Sequence, residues 1–164
     1  MKDEPIFRAY RDFFWKIGVD PTKVRPAAEA LVRRALLGKP IPTINTLVDA
    51  YNLASMETGI ALAAFDRNKI SGDLVMRYAW PGEPFQGIGM RYPIVLRGVE
   101  VVVSDGEKLV AIYPYRDADS SKIVESTRSL ILMVCGVPGI EETKLIEARD
   151  IATSYITRFC DGEV

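Results

Sequence analysis

The 164-residue sequence predicts an α+β fold in which mostly antiparallel sheets are covered by helices. Two observations lead to this prediction. Segments with the apolar spacing of amphipathic helices stand at both ends of the chain, and short strand-like segments separated by turn signals occupy the middle. The sequence contains no internal repeat, linker or low-complexity stretch, so we expect one domain over residues 1–164.

The first two helices are predicted near the start of the chain. Residues 6–17 carry apolar side chains at helical spacing, and Gly18 ends this pattern. Pro26 is suited to the first position of a helix over 27–37, which Gly38 terminates. The inner stripe of this second helix is expected to contain Ala30, Leu31, Ala35 and Leu37.

A third helix is predicted over 45–58, between a proline-rich break and Gly59, and a fourth over 141–159. The expected inner face of the third helix comprises Leu47, Val48, Tyr51 and Ser55. That of the fourth comprises Leu145, Ala148, Ala152, Tyr155 and Phe159.

Strand-like segments fill the middle of the chain between Gly and Pro turn signals. These segments are 60–65, 74–79, 94–97, 100–104 and 109–113. A further run, 130–134, is purely apolar and is therefore predicted to be a buried strand.

Composition excludes several classes of function. The chain has no histidine, which removes the usual general base and every Ser-His or Cys-His pair. Neither cysteine has a partner at metal-ligand spacing, so we expect no metal site and no cofactor. The charged N-terminus and the absence of a long apolar run predict a cytoplasmic protein without a membrane span.

Net charge is −1 and the isoelectric point is about 5.6, which disfavours a protein that coats DNA. A transfer RNA can still be recognised through its shape and its single-stranded end, so composition leaves RNA open as a partner.

Five segments carry a family resemblance. Residues 44–53 (INTLVDAYNL) are similar to the segment I-N-N-V-V-D-x-T-N-Y that opens the B3/B4 module of phenylalanyl-tRNA synthetase beta subunits, and 59–66 (GIALAAFD) to its G-Q-P-L-H-A-F-D. Residues 69–72 and 75–83 resemble K-L-x-G and V-x-R-x-A-x-x-G-E, and 117–132 the segment ending in V-T-x-x-T-x-x-V-x-L. The first helices look like those of free-standing B3/4 proteins, which gives a family-like core at about 19–135.

The resemblance implies a three-layer β/β/α domain with a pocket that receives the 3′ end of a mischarged tRNA and hydrolyses its aminoacyl ester. The synthetase's catalytic module has no counterpart in the sequence, so aminoacylation is not expected. The family's pocket histidine falls at Ala63, its threonine at Tyr51 and its second opening asparagine at Thr46. Tyrosine is therefore not implied as the amino acid handled.

Three polar residues are the catalytic candidates. Asn52 matches an asparagine that lines the family's pocket and would hold a water or the terminal ribose; its alternative is a polar position on a helix. Asp66 and Asp117 would bind the α-ammonium group. Asp66 can instead accept backbone N–H bonds in the turn that follows it, and the cluster around Asp117 can form a helix-capping turn.

A second set is predicted to bind the substrate, and each member has a structural alternative. Asn45 suits a helix N-cap, and Arg77 with Glu83 suits a cross-strand ion pair. The full set comprises Asn45, Asp49, Ala63, Arg77, Glu83, Arg116, Asp119, Ser120 and Thr127.

Four basic residues, Arg25, Arg33, Arg34 and Lys39, could contact RNA phosphates or could simply be a solvated helix face. The sequence therefore predicts a deacylase that acts on the 3′ end of an aminoacyl-tRNA. The alternative is a non-catalytic module that binds tRNA or senses a free amino acid.

Overall fold

The computed structural model describes residues 3–164 and confirms the α+β class with antiparallel sheets. Its helices are α1 Pro5–Lys16, α2 Ala27–Leu36, α3 Thr46–Thr58 and α4 Glu142–Cys160. Its strands are β1 Ala61–Asp66, β2 Val75–Tyr78, β3 Pro84–Phe85, β4 Ile94–Val95, β5 Val101–Ser104, β6 Leu109–Ile112, β7 Arg116–Asp117 and β8 Leu130–Cys135. None of the helices described is long and apolar enough to cross a membrane.

The chain divides into two compact units. The helical unit contains the residues up to Ala63 together with Met133–Val164, and the sheet unit is Ala64–Leu132. The boundary falls within β1 and β8, which pair with each other as a two-stranded sheet. The expectation of one domain over the whole chain stays a prediction.

Local sequence signals set the ends of α3. The side chain of Asn45 accepts a hydrogen bond from the backbone N–H of Val48 at 2.9 Å, as an N-cap residue does. Gly59 follows the last turn with φ of 74°, a left-handed conformation that glycine adopts without steric penalty. A Cβ at this position would lie 3.3 Å from the side chain of Ile6, so the chain also passes close to α1 here.

One buried phenol connects three elements of the helical unit. The hydroxyl of Tyr10 in α1 donates to the carbonyl of Cys135 at 2.6 Å and accepts from the N–H of Ala61 at 2.9 Å. Tyr10 is fully buried, and this burial raises the pKa of its hydroxyl, although the hydrogen bond from Ala61 opposes the shift. The hydroxyl therefore satisfies a backbone donor of β1 and a backbone acceptor of β8 at once.

The inner face predicted for α2 is wrong in part. Ala28 and Glu29 are the buried residues of this helix, whereas Ala35 and Leu37 are exposed and Ala30 and Leu31 are half-buried. The physical reason is an ion pair: both carboxylate oxygens of Glu29 accept from the guanidinium of Arg11, at 2.5 and 2.7 Å. A pattern of apolar residues does not reveal a charge that is buried because a distant partner neutralises it.

The inner face predicted for α4 is right for Ala148 and Ala152 and wrong for Phe159. Ala148, Ala152 and Ile156 are buried, at the four-residue spacing of one helix face, whereas Phe159 is 48% exposed. The facing surface of α3 buries Ala50 and Ala54. Small side chains on both helices allow close packing, which favours the alanine stripe over the aromatic one.

The sheet unit contains a four-stranded antiparallel sheet in the order β2-β5-β6-β7 and a β3–β4 hairpin. Its apolar core comprises Ala79, Phe85, Leu96, Val102, Leu109, Ile112 and Ala118. The two-residue strands β3 and β7 are absent from the sequence prediction, because a strand this short has no periodicity to detect. The apolar run at β8 is a strand as predicted, but it is half-buried and only Cys135 is buried.

Replacing Tyr10 by Phe should lower the free energy of unfolding by about 1–3 kcal/mol, because the backbone groups of Ala61 and Cys135 lose the hydroxyl while staying buried. Urea denaturation measures the change. Tyr155→Phe is the matched control, since its hydroxyl donates to Glu57 at the surface, and it should change stability by less than about 0.5 kcal/mol. Equal effects of the two variants would contradict the role given to Tyr10.

Candidate functional site

Asp117 is the candidate carboxyl with the most perturbed chemistry. It lies in β7 opposite Ala111 of β6, and its backbone carbonyl accepts from the N–H of Ile88 at 2.9 Å. Burial raises the pKa of the Asp117 carboxyl to about 7, and the neighbouring charge of Arg116 only partly opposes this shift. Among residues 3–164, no hydrogen-bond donor to the carboxylate lowers this pKa. The side chain can therefore exchange a proton close to neutral pH.

Arg116 is fixed beside Asp117 by its own contacts. Its guanidinium donates to the carbonyl of Ile88 at 3.0 Å and lies 5.3 Å from the ring centroid of Tyr115. The aliphatic part of the side chain crosses Gly87, where a Cβ would come within 2.4 Å of the arginine Cδ. Glycine at position 87 therefore makes room for this arginine, and a side chain there would displace it.

Asp66 accepts a backbone N–H bond in the turn that follows it, which was the structural alternative for this residue. It is buried, accepts from the N–H of Asn68 at 3.0 Å and accepts from the hydroxyl of Thr127 at 2.8 Å. The Thr127 oxygen in turn accepts from the N–H of Val124 at 3.0 Å. Two residues of the resemblance, 61 positions apart, thus meet in one hydrogen-bonded network. Both are engaged in holding the turn after β1.

Arg77 and Glu83 form the ion pair that was the structural alternative for them. Both carboxylate oxygens accept from the guanidinium, at 2.9 and 2.6 Å, and one also accepts from the N–H of Trp80. The hydrogen bonds from Arg77 lower the pKa of Glu83, so the pair stays charged well below neutral pH. Arg77 is therefore held by the protein itself.

Two of the candidate residues at α3 use their side-chain oxygens in hydrogen bonds to the backbone, and a third does not. Asn45 caps the helix, and Asp49 accepts from the N–H of Ile44 at 3.0 Å. The side chain of Asn52 is half-buried, and its amide makes no hydrogen bond in the part of the chain that the structure describes. Ala63 is buried in β1. Asn52 is thus the α3 candidate whose polar atoms stay available.

The remaining substrate-binding candidates lie in the 3-10 turn at 119–121. Asp119 accepts from Lys122 at 2.7 Å, in an ion pair that is exposed on both sides. Ser120 lines a cleft of about 380 Å³ in the sheet unit, together with Asn68, Lys69, Ile70, Ser71, Glu107 and Lys108. The hydroxyl of Ser121, fully buried beside it, has no hydrogen-bond partner among the described residues. The convergence of Asn52 with Asp66, Arg116 or Asp117 stays a prediction.

Three of the predicted RNA-binding residues, Arg33, Arg34 and Lys39, lie at or just after the last turn of α2, whereas Arg25 precedes its first turn. Arg34 donates two hydrogen bonds to the carbonyl of Pro40 and so stabilises the loop that follows the helix. Arg25, Arg33 and Lys39 are exposed. Contact with phosphate stays a prediction for all four.

Sequence reasoning missed a group of exposed aromatic residues in the sheet unit: Tyr78, Trp80 and Tyr92. A signal was present, because arginine precedes tyrosine at 77–78 and again at 91–92.

Replacing Asp117 by Asn should stabilise the protein at pH 8 and have little effect near pH 4. The folded-state pKa of about 7 lies above the ordinary value of 3.8, so the native state binds a proton that the unfolded chain has released. Wild-type stability should therefore fall as pH rises from about 4 to 7, by a few kcal/mol at most. Urea denaturation across this range measures it.

Asp73→Asn, at an exposed carboxylate of the same unit, is the control and should not alter the pH dependence of the difference. An Asp117→Asn variant whose stability parallels wild type at every pH would show that the Asp117 pKa is not raised.

The family is identified by comparison with known proteins. A model of the B3/4 domain matches residues 9–161. The phenylalanine–tRNA ligase beta subunit of Nocardia farcinica is 32% identical over 115 residues, which cover 70% of this chain and 13% of that protein. The beta subunit of Thermotoga maritima is 27% identical over 132 residues, covering 80% and 17%. The chain thus spans less than a fifth of the length of these relatives.

The fold has a solved counterpart. An N-terminal fragment of the phenylalanyl-tRNA synthetase beta subunit from Pyrococcus horikoshii superimposes with a TM-score of 0.59 at 14% identity, over 70% of this chain and 40% of that one. Identity this low supports the fold alone. Since the family model covers nearly the whole chain, the protein belongs to the B3/4 domain family.

Proposed function

We propose that this B3/4 protein hydrolyses the ester between a wrongly attached amino acid and its tRNA, acting separately from a synthetase. The relatives it matches are beta subunits of phenylalanine–tRNA ligases, and this supports a substrate of the aminoacyl-tRNA class. The observation that carries the proposal is the carboxyl of Asp117, whose pKa near 7 supplies a proton acceptor to a chain without histidine.

The chemistry needs little beyond this group. An aminoacyl ester is already activated, so the enzyme has to orient a water and accept its proton as the water attacks the carbonyl carbon. A base with a pKa near the working pH is deprotonated in a large fraction of molecules and still accepts a proton readily. Asp117 would take the proton from the water and return it to the ribose oxygen that leaves.

Arg116 would assist by stabilising negative charge that develops on the carbonyl oxygen. Its guanidinium is tied to the carbonyl of Ile88 and supported by the ring of Tyr115, so little rearrangement is needed during the reaction. Asn52 belongs to the helical unit, and its role in holding a water or the terminal ribose stays a prediction from the family resemblance.

One observation favours the alternative, a module that binds tRNA or a free amino acid without hydrolysis. Several candidate groups are already engaged by the protein: Asp49 by Ile44, Asp66 by Thr127, and Arg77 by Glu83. Such a site retains few free polar groups for catalysis. The two functions differ in whether the ester disappears, which is directly measurable.

Incubation with a panel of mischarged tRNAs should remove the ester from one or more of them, and Asp117→Asn should slow this at least about tenfold, equivalent to about 1.4 kcal/mol of barrier. The wild-type rate should rise with pH and level off above about 7, as Asp117 loses its proton. The variant should lack this dependence. Release of labelled amino acid at several pH values provides the measurement.

Asp73→Asn is the matched control, since it removes an exposed carboxylate from the same unit. No hydrolysis of any member of the panel would refute the deacylase, and a pH-dependent rate that survives in Asp117→Asn would exclude this residue as the base.

Binding of tRNA should weaken steeply as salt is added, because arginine and lysine contacts to phosphates release counterions. Arg33→Ala should reduce the slope of log K against log salt by about 1 if Arg33 contacts a phosphate. Arg149→Ala is the control, since Arg149 is an exposed arginine of α4 paired with Asp150. Filter binding at several salt concentrations measures the slope, and tRNA affinity that ignores salt, or is absent at low salt, would favour the amino-acid sensor.

A further inference from the structure

The strand β2 forms one edge of the four-stranded sheet and pairs on one side only, with β5. Its apolar side chains are exposed on both faces of the sheet: Val75 is 54% exposed on one face, and Met76 and Tyr78 are 53% and 68% exposed on the other. Natural sheets commonly prevent such an edge from pairing with another strand by means of lysine, proline or a bulge. The strand β2 contains neither lysine nor proline, and its register with β5 is regular.

Backbone hydrogen-bonding groups are also free along this edge. The N–H of Ala79 donates to the carbonyl of Glu100 in the ladder with β5. Because such bonds alternate along an antiparallel pair, the backbone groups of Met76 and Tyr78 point away from β5. The carbonyl of Tyr78 accepts from the guanidinium of Arg77 at 3.0 Å. The N–H and C=O of Met76 and the N–H of Tyr78 have no partner within residues 3–164, so they can extend the sheet to a strand of another molecule.

The sequence at this edge is complementary to itself when two copies run antiparallel. Residues 73–77 read Asp-Leu-Val-Met-Arg. With Val75 opposite Val75 of a second copy, Leu74 faces Met76 and Asp73 faces Arg77. Every pair is then either apolar with apolar or opposite in charge. A register with Arg77 opposite Arg77 would instead place like charges together, so the charges favour the register centred on Val75.

The same register uses the free backbone groups. Leu74, just before β2, makes no backbone hydrogen bond among the described residues. Its N–H and C=O would exchange hydrogen bonds with the C=O and N–H of Met76 from the second copy, and two-fold symmetry repeats this pair. Val75 directs its own backbone groups to β5, so Val75 and its counterpart form a non-hydrogen-bonded pair, in which the side chains lie closest.

The charged groups that this pairing needs are available. Asp73 is exposed and forms no ion pair in the part of the chain that the structure describes. Arg77 contacts Glu83 through Nη1 and Nη2, and its Nε–H donates to neither oxygen of that carboxylate. A guanidinium carries five N–H donors, so Arg77 can accept a second carboxylate without releasing Glu83.

We propose that the protein forms a symmetric dimer in which β2 of one copy pairs antiparallel with β2 of the other, joining the two four-stranded sheets into one. A two-fold axis at Val75 makes the contact self-complementary, so assembly stops at two copies. One short strand from each copy is a small interface, and we expect a dissociation constant on the order of micromolar. Asp73 therefore stays exposed at the lower concentrations suited to the deacylation and unfolding measurements.

Val75→Cys tests the register directly. Residues facing each other at a non-hydrogen-bonded position have Cα atoms about 4.5 Å apart, a distance that a disulfide can bridge. In a Cys160→Ser background, where the native cysteine that remains is buried, this variant should form a disulfide-linked dimer under mild oxidation, seen on a non-reducing gel. Val99→Cys, at a similarly exposed valine outside β2, is the matched control and should stay monomeric.

Sedimentation velocity over a range of concentrations measures the association itself. Wild type should convert from monomer to dimer as concentration rises. Met76→Pro should remain a monomer, because proline removes an N–H that points to the free edge and leaves the ladder with β5 intact. Asp73→Arg should weaken association at least about tenfold, since two symmetric attractions become repulsions.

Three results would overturn the proposal: wild type that stays monomeric up to its solubility limit, Val75→Cys that cross-links no better than Val99→Cys, or Met76→Pro that associates as wild type does. Should circular dichroism show that Met76→Pro is unfolded, Asp73→Arg, which changes an exposed residue outside the strand, decides in its place. A wild-type dimer without selective cross-linking at position 75 would lie at another surface and would equally refute the pairing of β2. These measurements use no tRNA, so their outcome is independent of the deacylation assay.

Discussion

The hydroxyl of Tyr10 is the interaction on which the helical unit most depends. It joins α1 to the backbone of Ala61 in β1 and of Cys135 in β8, two strands separated by more than sixty residues of sequence. A buried N–H and a buried C=O each need a partner, and one phenol serves both.

The buried carboxyl groups of the described residues, those of Glu29, Asp66 and Asp105, are each compensated by an opposite charge or by hydrogen-bond donors. Glu29 is paired with Arg11, and Asp66 is hydrogen bonded to Asn68 and Thr127. Asp105 is buried as well, but N–H donors of Ser71, Glu107 and Lys108 outweigh its burial and hold its pKa at about 2. Asp117 is half-buried, and no donor offsets the effect of burial, which raises its pKa well above the ordinary value. That contrast is why the proposed chemistry centres on Asp117.

Several candidate residues of the sheet unit are held by other groups of the protein, as Asp66 is by Thr127 and Arg77 is by Glu83. Arg77 and Glu83 are engaged with each other, and the guanidinium of Arg77 lies 4.1 Å from the centroid of the exposed Trp80 ring. These two residues, which were predicted to bind substrate, thus contact both the backbone and the ring of Trp80.

The sequence by itself determined the features that depend on near neighbours. The N-cap at Asn45, the left-handed Gly59 and the order of helices and strands all follow from residues within a few positions of each other, and the family follows from short motifs in a fixed order. The absence of histidine also excludes imidazole as a general base, however the chain folds.

Only the tertiary structure decided which face of a helix is buried and which carboxyl has a raised pKa. Glu29 is buried because Arg11, eighteen residues away, supplies the compensating charge. Asp66 and Asp117 were both candidates for binding the α-ammonium group, yet hydrogen-bond donors reach the first and not the second. The physical reason is that the free energy of a buried charge depends on groups brought to it by the fold, and these groups are distant in sequence.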